Sequence, residues 1–317
     1  MTKIGLTYLM VCLNCFFAFS QSWNSFDEGK EYIFSYEVND TLEFEVFLVE
    51  NPYDGNKYYA SKLLTNVCSD QICLPIEINL FWDLLGNFHH FSREEDFNFT
   101  KFDHKYFEKH DYEKLQQILM DTLSALRDYD VEDLIDKNSE KFSVEIDAVT
   151  RPTSALFSNV TVPGALYTVY TLWHIVNGSI KQRLHAYTKQ HYRERNWPIY
   201  FARSKVSKYQ EYFLKNVSSM EINTYQKEII DLLFATDDFV PHYAIDILEQ
   251  NVFKKPQQYN RILKRLNELE PHVITEILNT ISAPNKETLE AFNSFLSNPK
   301  VTAKQKEIIQ KLINYEK

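Results

Sequence analysis

Apolar and polar positions alternate along the first part of this chain and change to helical spacing along the second. Thr41 to Val49 alternates, with Leu42, Phe44, Val46 and Leu48 on one face, and predicts a strand. Ile76 to Trp82 repeats the pattern, with Ile76, Ile78 and Leu80 opposed by Glu77 and Asn79. Gly86 marks a turn within Asp83 to Asn87, so Phe88 to Phe91 is expected to return as the second strand of a hairpin. Glu108 to Met120 places Tyr112, Leu115, Ile118 and Leu119 at helical spacing. Ser143 to Val149 predicts a further strand. Ser154 to Ile175 contains Pro163-Gly164 and predicts a short turn, a break, and a helix through Tyr167, Tyr170, Leu172 and Ile175. Within Leu184 to Ala202 the pattern predicts a strand near Leu184 to Tyr187 and a loop around Trp197-Pro198.

From about Lys205 onward, helical patterns follow one another with start signals. Asn223 with Gln226 resembles a capping box ahead of Ile229, Ile230, Leu232 and Leu233. Pro241, Pro256 and Pro271 each suit the first turn of a helix. Asn285 is expected to cap the segment with Leu289, Phe292 and Phe295, and Thr302 with Gln305 to cap the last helix. Six short helices joined by short loops resemble irregular HEAT-type repeats in architecture. The fold class is therefore an α+β N-terminal domain, 21–204, followed by an all-α helical-hairpin (HEAT-like) C-terminal domain, 205–317.

The start of the chain changes this picture. Lys3, an apolar run from Ile4 to Phe19 and Ala18-Phe19-Ser20 form an export signal, 1–20, so the mature chain is expected to begin near Gln21. No later segment is apolar for long enough to predict a transmembrane span. Export, to a periplasm or out of a bacterial cell, leaves Cys68 and Cys73 as the mature cysteines. In oxidising surroundings a structural disulfide between them is expected. A redox-active dithiol, or a zinc site recruiting His89 or His90, are the alternatives for the pair. The composition, 44% apolar and 15% aromatic, supplies a large core. The formal charge of −10 excludes nonspecific nucleic-acid binding. The locally basic run Lys181 to Arg203 is either a solvated face or an anion site.

Asp147-Ala148-Val149-Thr150-Arg151-Pro152-Thr153 is similar to the D-x-x-[ST]-G-A-[ST] motif of exported FMN-binding domains, found in Rnf-type complexes and sodium-pumping NADH:quinone reductases. The resemblance covers about residues 68–178. It implies a flavoprotein in extracytoplasmic electron transfer, with FMN joined by a phosphoester to Thr153, Asp147 as the opening acid and Thr150 as the hydroxyl of the turn. Where the family has Gly-Ala, this chain has Arg151-Pro152. Pro removes an N–H and fixes φ, so the turn differs; Arg151 can pair with a phosphate. The plainer alternative is that Asp147 and Thr150 cap the following helix.

Other chemistry is less marked. His89-His90, and His104 and His110 beside Tyr106 and Phe107, lack metal-ligand spacing. Asp103, Glu108 and Asp111 offer carboxylates without a diagnostic acid–base pair. Tyr167, Tyr170 and Trp173 form a stripe that serves as core, or as a flavin wall if Thr153 is modified. Two functions follow as expectations: electron transfer with FMN, or a non-catalytic module that has lost the cofactor and binds a protein partner on its C-terminal helical surface.

Overall fold

The computed structural model describes residues 29–65, 75–94, 96–101, 105–134, 155–281 and 284–314. The expected signal, Cys68, Cys73, His104, Asp103, the strand at 143–149 and the motif residues Asp147, Thr150, Arg151 and Thr153 lie outside these. The chain is α+β and then all-α. It divides into two compact units, one ending at Gln190 and the other beginning at His191.

The first unit is built on a five-stranded antiparallel meander in the order β1 (Glu31–Asn39), β2 (Leu42–Glu50), β3 (Lys57–Thr65), β4 (Ile76–Trp82), β5 (Phe88–Ser92). Residues paired across antiparallel strands share a face. Leu48, Tyr59, Trp82 and Phe88 therefore line one side, and Phe47, Ala60, Phe81 and His90 the other. The first side carries α1 (Lys109–Met120), α2 (Leu166–Asn177) and α3 (Ser179–His191). Trp82 Nε1 donates to Val176 O at 3.0 Å, and the hydroxyls of Tyr59 and Thr188 are 2.7 Å apart. Gly86 has φ 80°, and a side chain there would also run into the Lys181 carbonyl, so glycine serves both the turn and the approach of α3.

Three elements correct the sequence pattern. Leu184 to Tyr187 is the middle of α3, not a strand. Ile180, Leu184 and Thr188 recur every fourth residue and are all fully buried, which is a helical face. Trp197-Pro198 opens α4 (Trp197–Arg203) rather than forming a loop: Asn196 turns the chain at φ 54° and Pro198 fits the first turn. Asn223 caps nothing, because α6 (Gln226–Asp231) begins after Tyr225, without a side-chain cap. The expected break at Pro163-Gly164 is present, between a 3₁₀ turn at Ala155–Val160 and α2.

The second unit contains α4, α5 (Ser207–Asn216), α6, α7 (Val240–Asn251), α8 (Pro256–Leu263), α9 (Pro271–Thr280), α10 (Lys286–Leu296) and α11 (Ala303–Asn314). Helices two apart in sequence pack together: α5 on α7, α7 on α9 and α9 on α11 form one layer, while α4 packs on α6 and α8 on α10. This alternation is that of stacked helical hairpins. Pro241, Pro256 and Pro271 occupy first turns as expected. Asn285 and Thr288 form a reciprocal capping box. Thr302 and Gln305 also exchange hydrogen bonds, at 2.9 and 3.2 Å.

Candidate interaction surface

The second layer of the helical unit leaves α6 and α8 side by side across a trough of about 470 Å³. The α6 wall presents Lys227, Ile230, Asp231 and Phe234, the last from the 3₁₀ turn that continues the helix. The α8 wall presents Gln258, Arg261 and Ile262, with Arg265 from the turn that follows the helix. Both sets fall at i, i+3, i+4, i+7, so each is one helix face. Phe234 and Arg265 bridge the walls at one end, the guanidinium lying 3.8 Å from the ring centroid. Arg265 also meets Glu268 at 2.6 Å. A second hollow of about 310 Å³ shares Asp231 and Phe234 and extends the trough past Glu228 to Ala202 and Arg203.

Charge is uneven here. Arg203, Lys227, Arg261 and Arg265 face two carboxylates, Glu228 and Asp231, on a chain whose formal charge is −10. Arg203 is held by Glu228 at 2.7 Å. Burial of the Glu228 carboxyl works against its ionisation, but the Arg203 bond prevails and its pKa is lowered. Among the described residues neither Arg261 nor Lys227 has a hydrogen bond or ion pair, and both are exposed. Lys227 has only a through-space attraction to Glu228.

Of the residues singled out by sequence, His89 and His90 are brought together. A β-bulge inserts His89 between the Phe81↔His90 and Trp82↔Phe88 pairs. Adjacent side chains of a regular strand point to opposite faces; here the rings meet, with Nδ1 to Nδ1 at 2.8 Å. His90 stacks on Phe81 at 4.3 Å, and burial, then the neighbouring His89, lowers its pKa to about 4. Burial lowers His89 too, against the pull of Asp83 and Asp54. No group of three or more His, Cys, Asp or Glu among the described residues is arranged to hold a metal.

The remaining candidates take structural places. Asp111 is buried, pairs with Lys101 at 2.6 Å and accepts from Glu108 N at the start of α1. His110 lies against Glu108 and Asp111. In the basic run, Arg183 covers the Phe34 ring and Arg193 pairs with Glu221 at 2.7 Å. Hydrogen bonds from Arg193 and Ser218 hold Glu221 down to about 2. Trp173 is core, donating to Asp121 O at 2.9 Å, whereas Tyr167 and Tyr170 are half-buried. No helix among the described residues is long and apolar enough to cross a membrane. Comparison with known protein families, with curated proteins and with solved structures finds no match.

Proposed function

We propose that this chain is a protein-interaction module whose helical unit supplies the binding surface, the trough across α4, α6 and α8. The observation that carries this reading is the composition of the trough. Apolar side chains (Ile230, Phe234, Ile262) lie between polar walls, and two of its cations have no ion pair or hydrogen bond among the described residues. Interfaces use such a mixture, with aromatic and Arg anchors surrounded by a polar rim. Stacked helical hairpins offer extended surfaces of this kind.

The test is panning of a random peptide-display library on the purified full chain, followed by hydrogen exchange with the selected peptides. Protection confined to 197–203, 226–234 and 258–265, lost in Phe234→Ala, supports the reading. Peptides that protect other segments, or a library that yields no binder, would defeat it.

A further inference from the structure

The trough also constrains the chemistry of its occupant, an inference that rests on the interaction reading. We infer that the partner segment is acidic, with carboxylates beside an apolar side chain that enters between Ile230 and Ile262. The two walls dictate this. At one end Phe234 and Arg265 already satisfy each other, and Arg265 is further committed to Glu268. One turn earlier on α8 stands Arg261, whose donors have no acceptor among the described residues, and on α6 stands Lys227, equally without one there. An arginine fork binds a carboxylate through two parallel hydrogen bonds, and Lys227 supplies a second point charge from the opposite wall.

The lining supports an anion over a cation. The cations outnumber the carboxylates: Glu228 is taken by Arg203, and Asp231 has, among the described residues, only a through-space attraction to Arg265. A basic segment would meet Lys227 and Arg261 with only Asp231 to offset them, and like charges brought together suppress a wrong partner. A purely apolar segment would leave both cations without acceptors as they lose water on binding. The net charge of −10 opposes acidic segments at long range, so a local cationic patch helps to select where they dock.

Library panning is run in parallel on the wild-type chain and on the Lys227→Glu/Arg261→Glu double variant. Both side chains are exposed and make no bond among the described residues, so the variant should keep the fold, which a thermal melt checks. Wild type should enrich peptides with Asp or Glu adjacent to Leu, Ile or Phe. Their affinity should fall about tenfold or more in the double variant and weaken with added salt. The double variant should itself select Lys- or Arg-containing peptides. Selected peptides that protect α6 and α8 without charge bias, and bind both proteins equally, would overturn the acidic assignment and leave the interaction reading standing. Selection of no peptide, or protection elsewhere, would remove both.

Discussion

Thr188 on α3 accepts a hydrogen bond from Tyr59 on β3, 129 residues away, at 2.7 Å, and donates its own proton to the Leu84 carbonyl. Both side chains are fully buried. One hydroxyl thus locks α3 to the central strand and to the start of the β4–β5 turn. Thr188→Val keeps the shape and removes the hydroxyl, and with it the bonds to Tyr59 and Leu84. It should cost about 1–3 kcal/mol in chemical unfolding. Tyr59→Phe removes one bond and leaves Thr188 its bond to Leu84, so it should cost about 1 kcal/mol. A double-mutant cycle that shows additivity would mean the two hydroxyls do not interact.

Lys101 and Asp111 set the acid limit of α1. The Asp111 carboxyl is 1% exposed, and burial opposes its charge. The bonds from Lys101 and the Glu108 amide outweigh that, so its pKa is lowered. A carboxylate lowered on folding contributes stability that is full above its unfolded pKa of about 3.9, and that is lost as pH falls through the folded value. Protection of α1 amides should therefore weaken below about pH 4. Asp111→Asn should remove that pH dependence. Lys101→Met should be the more damaging change, about 3–5 kcal/mol, because it leaves a buried charge alone. An unchanged melting temperature in Lys101→Met would contradict this.

How far the pattern of residues revealed these features depends on what each position senses. Caps and first-turn prolines are local, so Asn285, Thr302, Pro256 and Pro271 marked their helices correctly. The β3 segment K-Y-Y-A-S-K-L-L-T carried no signal, because Tyr58 to Ser61 are buried on both faces of a central strand and do not alternate. The α3 face was hidden for a different reason. Its third buried position is Thr188, a residue whose place in the core comes from a distant tyrosine. The trough was concealed too. Lys227-Ile230-Asp231-Phe234 resembles a solvated helix face until α8 is known to lie across from it.

The meeting of His89 and His90 depends on a bulge that no local residue announces, and it yields a pH prediction. A histidine whose pKa is lowered on folding is neutral in the fold while the unfolded chain still takes up protons. Stability is then full above about pH 6.5 and declines as pH falls toward the folded value. For His90 that value is about 4, set by burial and by His89, with Asp83 and Asp54 acting on His89 from the other direction. Proton NMR titration should place His90 near 4, and His89 below its ordinary value of 6.5. Replacement of His90 by Phe, which retains the stack on Phe81, should flatten the loss of stability between these limits. If His90 titrates near 6.5, the burial and the stack on Phe81 do not describe the protein in solution.

The resemblance at Asp147 to Thr153 leads to a measurement independent of the trough. In the FMN-binding motif the position matching Arg151 is glycine, which permits close backbone approach and unusual torsions in the turn. Here Arg151 stands in place of that glycine, and Pro152, in place of the alanine, removes an N–H and fixes φ. An interaction module that has lost its cofactor predicts a colourless protein even when an exported flavin transferase is present during expression. Its intact mass should be that of the plain chain, less the hydrogens of a disulfide if Cys68 and Cys73 are joined. A mass greater by one FMN moiety, with flavin absorbance lost in Thr153→Ala, would instead establish Thr153 as the acceptor and the chain as an electron carrier. A yellow protein whose colour survives Thr153→Ala would mean that flavin is held elsewhere, and that the resemblance had located the wrong residue.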